Sequence, residues 1–209
     1  MTQKSEKLYY DPLSVARRTK QKVYFVAQHD KKAMLEKLIS NTLPKQMVIV
    51  TKSKRSANEL SQFLMSRRIK ALSIHGNHRI EDKKAATKSF NSAQTDVLIT
   101  TDMILQSLEL STVSVMLSYD LPLESDHYLS RLGFLQELGE SIAFVGADDE
   151  RALSNIEYVM KADIPQEELE GFVPTPFDEN SADHSQKNKR KKPRHRSQKS
   201  KKVGRTKEE

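Results

Sequence analysis

Two histidines stand three residues apart in the segment IHGNHR, at positions 75 and 78. This spacing is compatible with chelation of a metal ion, but the sequence identifies no third ligand near them. Packing or hydrogen bonding at the end of a strand is the simpler interpretation of His75, and Gly76 is expected to allow a tight turn there. The acidic residues Asp148, Asp149 and Glu150 have the chemistry of a magnesium site, but such residues also favour the start of a helix. We therefore predict a helix start at these residues and no metal site.

Several other kinds of chemistry are excluded by residue types that the chain lacks. It has no cysteine, which excludes disulfides, thiolate nucleophiles and cysteine-ligated zinc. None of its six glycines stands in a GxxxxGK[ST] or GxGxxG arrangement, so no phosphate-binding loop is expected. The longest apolar runs are about five residues, against about 20 for a membrane helix, and the polar start is not typical of a signal peptide. We expect a cytoplasmic protein that does not enter a membrane.

The positive charge of the chain is concentrated at its end. The net charge is +7, but residues 185–209 carry 12 lysines and arginines against two glutamates, and residues 1–184 carry a net charge of −3. A cationic tail on a near-neutral body predicts a polyanionic partner, with RNA before DNA or a membrane surface. The alternative is a solubilising extension. The tail residues predicted to contact RNA are Lys187, Lys189, Arg190, Lys191, Lys192, Arg194 and Arg196.

Hydrophobic periodicity over residues 22–163 predicts alternating strands and helices, the pattern of an α/β fold with a parallel sheet. The predicted strands are Val23–Ala27, Met47–Thr51, Lys70–Ile74, Asp96–Thr100, Val113–Leu117 and Ser141–Val145. The predicted helices are Lys31–Ser40, Ser53–Arg67 with Ser53 as N-cap, Arg79–Phe90, Ser125–Leu132 and Asp149–Lys161. Because such sheets bind ligands beyond the carboxyl ends of their strands, the first candidate sites are the loops 51–54, 75–79 and 100–105.

The order of motifs from Val15 to about Pro165 resembles the second, C-terminal RecA-like domain of DEAD-box RNA helicases, most of all the bacterial RhlE-type branch. Five segments carry the resemblance: SVARR at 14–18 (the linker into this domain), VIVTKS with KRSANEL at 48–60 (motif IV), IHGNHRIEDKKAATKSF at 74–90 (motif IVa), DVLITTDMILQSLEL at 96–110 (motif V) and SYDLPLESDHYLSRLG at 118–133 (leading into motif VI). The resemblance implies a single RecA-like parallel sheet flanked by helices.

The resemblance also implies which residues have lost a role toward ATP. The family pattern HRxGRxxR of motif VI is matched only by its first arginine, Arg131, while Phe134 and Glu137 replace the two arginines that contact ATP phosphates in the family. In motif V, Gln106, Ser107 and Glu109 replace the Arg, Gly and Asp of the ARGxD segment. Arg131 and Glu109 are therefore expected to be remnants of the nucleotide site, and we expect no ATPase activity of this chain alone.

The side of the domain that grips RNA in the family is better preserved. Thr101 and Asp102 match motif V, Gly76 matches the HG turn, Ser53 keeps a hydroxyl in motif IV, and Lys83 stands where motif IVa has arginine. Ile80, however, replaces the glutamine of motif IVa. Such contacts to the sugar-phosphate backbone need hydroxyls, amides and positive charge. The alternative is that Ser53 and Thr101 merely cap helices or turns.

These observations predict three parts: a linker-like segment (1–21), a RecA-like domain (22–165), and a Pro-containing linker with a disordered basic tail (166–209, disordered from 178). The predicted function is a catalytically degenerate helicase domain that binds RNA or associates with ribonucleoprotein, with no catalytic residue. One alternative is the second half of a split RNA helicase, which would use ATP and Mg²⁺ only when a separate N-terminal domain is supplied. A decayed gene product without a selected role is the third possibility.

Overall fold

The computed structural model describes residues 12–42, 46–111 and 113–176. Six parallel strands form one sheet in the order β1-β6-β5-β2-β4-β3. The strands are β1 (Lys20–Phe25), β2 (Met47–Val50), β3 (Ala71–Ser73), β4 (Val97–Thr100), β5 (Val113–Ser118) and β6 (Leu135–Val145). All six strands were predicted, and the predicted parallel α/β fold is confirmed.

The strand bounds differ most from the sequence prediction at one side of the sheet. β1 begins three residues early, at Lys20, because its polar residues find partners: Lys22 and Lys20 place their ammonium groups 2.8 Å and 3.5 Å from the Glu140 carboxylate of β6. β6 begins at Leu135 rather than Ser141 because Leu135 already pairs with Val113 of β5. These strand residues lack the apolar pattern by which strands were predicted, and their pairing with a neighbouring strand stabilises them.

Seven α-helices connect or flank the described strands: α1 (Pro12–Arg18), α2 (Lys31–Thr42), α3 (Lys54–Ser66), α4 (Ile80–Asn91), α5 (Asp102–Leu105), α6 (Ser125–Leu132) and α7 (Glu150–Met160). Two short 3-10 helices, Gln28–Asp30 and Ala147–Asp149, precede α2 and α7. Five match predicted helices, and the acidic run 148–150 does mark a helix start, because α7 begins at Glu150. The short α5 was not predicted. Neither was α1, whose Val15 and Ala16 are buried against α6 and α7 instead of lying in a linker.

Side chains alternate between the two faces of the sheet, as the two-residue period of a strand requires. Met47 and Ile49 of β2 pack with α2 and α3 on one face. Val48 and Val50 pack with α4 and α5 on the other face. The apolar runs are buried on both faces, which is typical of parallel strands.

The segment that follows α7 packs along the outer edge of β1. The Val23 amide donates to the Pro165 carbonyl at 2.9 Å, and the Glu167 amide donates to the Val23 carbonyl at 3.0 Å. Leu169 is buried beside α2, and Thr175 donates its amide and hydroxyl to the Asp30 carboxylate at 2.9 Å and 2.7 Å. The compact unit therefore extends to Pro176 and is wider than the predicted range 22–165.

The predicted tail (178–209), with its seven basic candidate RNA contacts at positions 187, 189–192, 194 and 196, lies outside the described residues. Across 12–42, 46–111 and 113–176, no helix has the length and apolar character needed to cross a membrane.

Candidate nucleic-acid interface

Three loops meet at the carboxyl ends of the neighbouring strands β2, β4 and β3. The Thr51 amide donates to the Thr100 carbonyl at 2.9 Å, which joins the loops after β2 and β4. The Lys54 ammonium lies 3.4 Å from the Asn77 amide oxygen, which joins the loops after β2 and β3. The structure therefore brings Ser53, Gly76 and Thr101 to one edge of the sheet, as the sequence predicts.

Ser53 is the N-cap of α3. Its backbone is extended, and its hydroxyl oxygen accepts a hydrogen bond from the Ser56 amide at 3.1 Å. The two hydroxyls of Ser53 and Ser56 lie 2.9 Å apart. The predicted capping role is confirmed, so this hydroxyl stabilises the helix whether or not it also meets RNA.

His75 and His78 form a hydrogen-bonded turn. The Asn77 amide donates to Nδ1 of His75 at 3.4 Å, so the Nε2–H of that ring donates to the Asn58 side-chain oxygen at 3.1 Å. The His75 amide in turn donates to Nδ1 of His78 at 3.2 Å. Burial, and then the electrostatic effects of His78 and Lys54, lower the pKa of His75 below its ordinary value. Within the described ranges, no group of three potential ligand side chains is placed to hold a metal ion.

Gly76 lies in this turn without using the conformational freedom of glycine. Gly171 is the one described glycine with a positive φ, and a Cβ built on Gly76 would meet no atom within 4 Å. The expected tight turn is present, closed by the His78 amide on the His75 carbonyl at 3.1 Å, but its backbone does not require a glycine. What Gly76 provides is open space above an exposed backbone.

Arg131 is the most deeply engaged of the predicted site residues. Its side chain is 2% exposed, and its Nε and one terminal nitrogen each donate to the Asp102 carboxylate at 2.7 Å. The other terminal nitrogen donates to the Ser118 hydroxyl at 2.7 Å and to the Asp120 carbonyl at 3.1 Å. This guanidinium joins β5, α5 and α6 inside the domain. The interpretation of Arg131 as a nucleotide-facing remnant is therefore corrected, because every side-chain nitrogen is already bonded.

The ion pair between Arg131 and Asp102 also determines which motif V side chains can contact RNA. Both carboxylate oxygens of Asp102 face Arg131, so the role of Asp102 is to hold the arginine rather than to meet the phosphates of RNA. Thr101 caps α5 through its carbonyl, which accepts from the Ile104 and Leu105 amides, while its hydroxyl makes no capping bond. Of these two residues, only Thr101 keeps a side-chain group, its hydroxyl, that could bond the sugar-phosphate backbone of RNA.

The last two predicted residues, Lys83 and Glu109, line a groove beside α4. Lys83 is half-buried in the first turns of α4 and faces residues 107–109. Glu109 is exposed, and its carbonyl accepts from the Asn91 side chain at 2.9 Å. No described contact joins Glu109 to Arg131, so the two predicted nucleotide remnants do not form one site.

The sequence did not predict a buried ammonium group that lies near the carboxyl ends of β5 and β6. Lys31 is 1% exposed, and its Nζ donates to the Tyr119 carbonyl at 3.0 Å and lies 3.5 Å and 3.6 Å from the Asp120 and Asp149 carboxylates. Asp120 also accepts from the Lys52 amide at 3.0 Å. A lysine in the first turn of a helix has the pattern of a surface residue, and only the acidic residues following β5 and β6 hint at its partners.

Comparison with known proteins shows which family this domain resembles. Residues 30–133 match the helicase conserved C-terminal domain. Over 113 residues the chain is 33% identical to the DEAD-box ATP-dependent RNA helicase RhpA of Helicobacter pylori, covering 54% of this chain and 23% of RhpA. Residues 30–133 form a DEAD-box helicase C-terminal domain.

This helicase domain is similar to other members of the family over a longer range. It is 28% identical over 154 residues to the ATP-dependent RNA helicase SUB2 of Eremothecium gossypii, covering 72% of this chain and 35% of SUB2. The E. coli DEAD-box protein SrmB, solved bound to the regulator of ribonuclease activity A, superposes with a TM-score of 0.70 at 20% identity, covering 75% and 94% of the two chains. The C-terminal domain of Dbp5 superposes with a TM-score of 0.66 at 23% identity, covering 72% and 91%.

The chain thus spans about a quarter to a third of the length of the curated relatives it matches.

Within this helicase domain, the motif VI side chains that the structure describes offer no free guanidinium to an ATP phosphate. Arg131 is committed to Asp102, and Phe134 is half-buried against the core that packs on α4 and α5. Gln106, at a motif V position, donates to the Ser130 hydroxyl at 2.5 Å.

Proposed function

We propose that this domain binds the sugar-phosphate backbone of RNA across the loops that follow β2, β3 and β4. The observation that carries the proposal is a group of exposed cations at this edge, Lys52, Lys54 and Arg79. Among the described residues, no carboxylate lies within 4.0 Å of the charged side-chain group of any of the three. Cations that form no internal ion pair are free to neutralise phosphates, whereas the body as a whole carries a net charge of −3 over residues 1–184.

The local backbone supports the same proposal. The 13-residue α3 and the 12-residue α4 both begin at this edge, so their positive dipole ends and first amides face the ligand side. The open space above Gly76 lets a sugar-phosphate chain approach the loop closely. The Thr101 hydroxyl and the exposed cations supply the remaining contacts without reading base edges.

The basic tail strengthens this binding in the proposal. Its 12 lysines and arginines over residues 185–209 would neutralise phosphates without sequence preference. No aromatic residue interrupts this segment, so base stacking contributes little to its affinity. We expect the complex to form with cytoplasmic RNA or ribonucleoprotein.

The proposal includes no ATP hydrolysis by this chain. An arginine that reaches the γ-phosphate contributes about a thousandfold or more in rate, and the described motif VI positions present no guanidinium for it. In the alternative function, the domain completes an ATP site contributed by a separate N-terminal helicase domain. Phe134, packed inward at the position of an arginine finger, argues against that alternative.

RNA binding is tested by fluorescence anisotropy with a labelled 20-nucleotide uridine strand. We expect Lys52→Glu/Lys54→Glu to weaken binding by about tenfold and to reduce the slope of log affinity against log salt by about 1.4, which corresponds to two lost phosphate contacts. The matched control is Lys32→Glu/Lys161→Glu, which reverses two exposed lysines on α2 and beyond α7. Equal binding by both doubly substituted proteins would contradict the proposed interface.

The contribution of the tail is separated with a chain that ends at Asp183. We expect this chain to bind more weakly but still to respond to Lys52→Glu/Lys54→Glu. Loss of all binding would assign RNA recognition to the tail alone. RNA-stimulated ATP hydrolysis upon addition of a separate DEAD-box N-terminal domain would favour the split helicase instead.

A further inference from the structure

A groove of about 640 Å³ runs between helix α4 and residues 107–109, which we call the α4 groove. One wall carries Lys83, Lys84 and Lys88, and Glu109 is the one acidic residue on the other. No described carboxylate lies within 4.0 Å of any of the three ammonium groups. The groove therefore has an excess of positive charge that nothing in the described domain neutralises.

The groove also exposes apolar surface. Ile80 at one end of α4 is 66% exposed, whereas Leu108 of the opposite wall is buried in the core. The methylene stems of Lys84 and Lys88 extend this surface along the helix, since long lysine side chains cover apolar area while their charges stay in water. A ligand for this groove must therefore combine negative charge with apolar side chains.

The polar groups of the walls are already used inside the domain. The Thr87 hydroxyl donates to the Lys83 carbonyl at 2.9 Å, and the Ser107 hydroxyl donates to the Ile104 carbonyl at 2.7 Å. The Asn91 side-chain nitrogen donates to the Glu109 carbonyl at 2.9 Å, and its side-chain oxygen accepts from the Ser111 amide at 3.1 Å. These bonds hold the walls together, and they leave few directional groups to read a nucleotide. No aromatic side chain among the described lining residues offers a platform for a base.

We propose that the α4 groove docks an acidic amphipathic segment of a partner protein, bound as a short helix. The 12 residues of α4 extend over about 18 Å, which matches three turns of a bound helix. Glutamates of the segment pair with the three lysines, and its apolar stripe covers Ile80 and the methylene stems of Lys84 and Lys88. The groove adjoins the RNA-binding edge at Ile80, which follows Arg79, and extends away from that edge along α4 to Lys88 and Asn91, so a partner docked along it could be recruited to a domain that holds RNA.

The test uses the full chain and a fluorescein-labelled 14-residue peptide with leucines at i, i+3, i+4 and i+7 and glutamates elsewhere. A scrambled peptide of the same composition is the control for the basic tail, because binding to a flexible cationic tail depends on charge and not on spacing. We expect the amphipathic peptide to bind at least fivefold more tightly than the scrambled one. Equal affinity for the two peptides would overturn the proposal.

Two groups of variants then locate the site. We expect Lys84→Glu/Lys88→Glu to weaken peptide binding about tenfold and Ile80→Ser to weaken it about threefold, while Lys32→Glu/Lys161→Glu changes it less than twofold. Binding of the uridine strand should be nearly unchanged by Ile80→Ser. If Lys84→Glu/Lys88→Glu and Ile80→Ser weaken RNA binding and leave peptide binding unchanged, the groove is a path for RNA and the proposal fails. Failure of Lys52→Glu/Lys54→Glu to weaken RNA binding would refute only the proposed function.

Discussion

Removal of the Arg131 side chain is expected to destabilise the fold rather than to abolish a contact with nucleotide. Arg131→Ala deletes four hydrogen bonds and leaves Ser118 and the Asp120 carbonyl unsatisfied in the interior. Breaking a buried ion pair costs about 3–5 kcal/mol, and leaving a buried polar group unbonded costs about 1–3 kcal/mol. Because the Asp102 side chain is 26% exposed and can regain water, we expect the lower end, about 3 kcal/mol.

The assays are urea unfolding, which gives the free energy of unfolding, and thermal unfolding, which gives Tm, both of the full chain and both followed by circular dichroism. A loss of about 3 kcal/mol lowers Tm by about 6–12 °C in a domain of this size. Arg131→Lys keeps the charge but loses the paired geometry, so we expect about half of that loss. Arg55→Ala is the control, because Arg55 makes an exposed ion pair with Glu59 on α3, and we expect no measurable change.

A double-mutant cycle tests the pairing itself. We expect Arg131→Ala and Asp102→Ala to be non-additive by about 2 kcal/mol, since each change removes the same two bonds. If Arg131→Ala loses less than about 1 kcal/mol, or if the two changes are additive, the guanidinium is not the internal link described above.

Three further perturbations have expected outcomes. Ser53→Ala should lower the free energy of unfolding by about 1 kcal/mol through loss of the α3 cap, and Ser53→Asp should retain most of it; an unchanged urea midpoint for Ser53→Ala would contradict the capping role. Gly76→Ala should change stability by less than about 0.5 kcal/mol, because the added methyl meets no atom within 4 Å, and should still weaken binding of the uridine strand. Although burial opposes ionisation, the hydrogen bond and charge of Lys22, with the charge of Lys20, hold the pKa of Glu140 below its usual value of 4.5. Its stabilisation is therefore present above about pH 4.5 and lost as the pH falls through the lower folded-state pKa. The stability gap between Glu140→Gln and the unaltered chain should stay constant above pH 4.5 and close as unfolding is measured at pH values progressively below 4.5.

The strands were predictable because parallel strands buried on both faces leave continuous apolar runs, as in Met47–Val50. Helix starts were predictable where a local signal exists, such as Ser53 at the start of α3. The start of β1 was not predictable, because it depends on ion pairs of Lys20 and Lys22 with Glu140, which lies more than a hundred residues further along the chain. Local patterns report burial and capping, and they carry no information on distant ion pairs.

The candidate site divides in the same way. The meeting of Ser53, Gly76 and Thr101 follows from the edge rule of parallel sheets and was predictable. The burial of Arg131 was not, because its carboxylate partner is 29 residues away and an arginine within a motif suggests an exposed role. The α4 groove had no signal in the sequence beyond three lysines on a helix, which usually indicate a solvated face.

The segment that runs beside β1 has a consequence for how the protein behaves in solution. A strand at the margin of a sheet presents unpaired amides and carbonyls, which are a template for association with another chain. In this protein the amide and the carbonyl of Val23 are hydrogen-bonded to the Pro165 carbonyl and the Glu167 amide, respectively. A protein shortened before residue 165 would uncover this margin, and we expect it to aggregate through β1 even though its six strands are intact. Fragments of this domain intended for biophysical work should therefore retain the chain to Pro176.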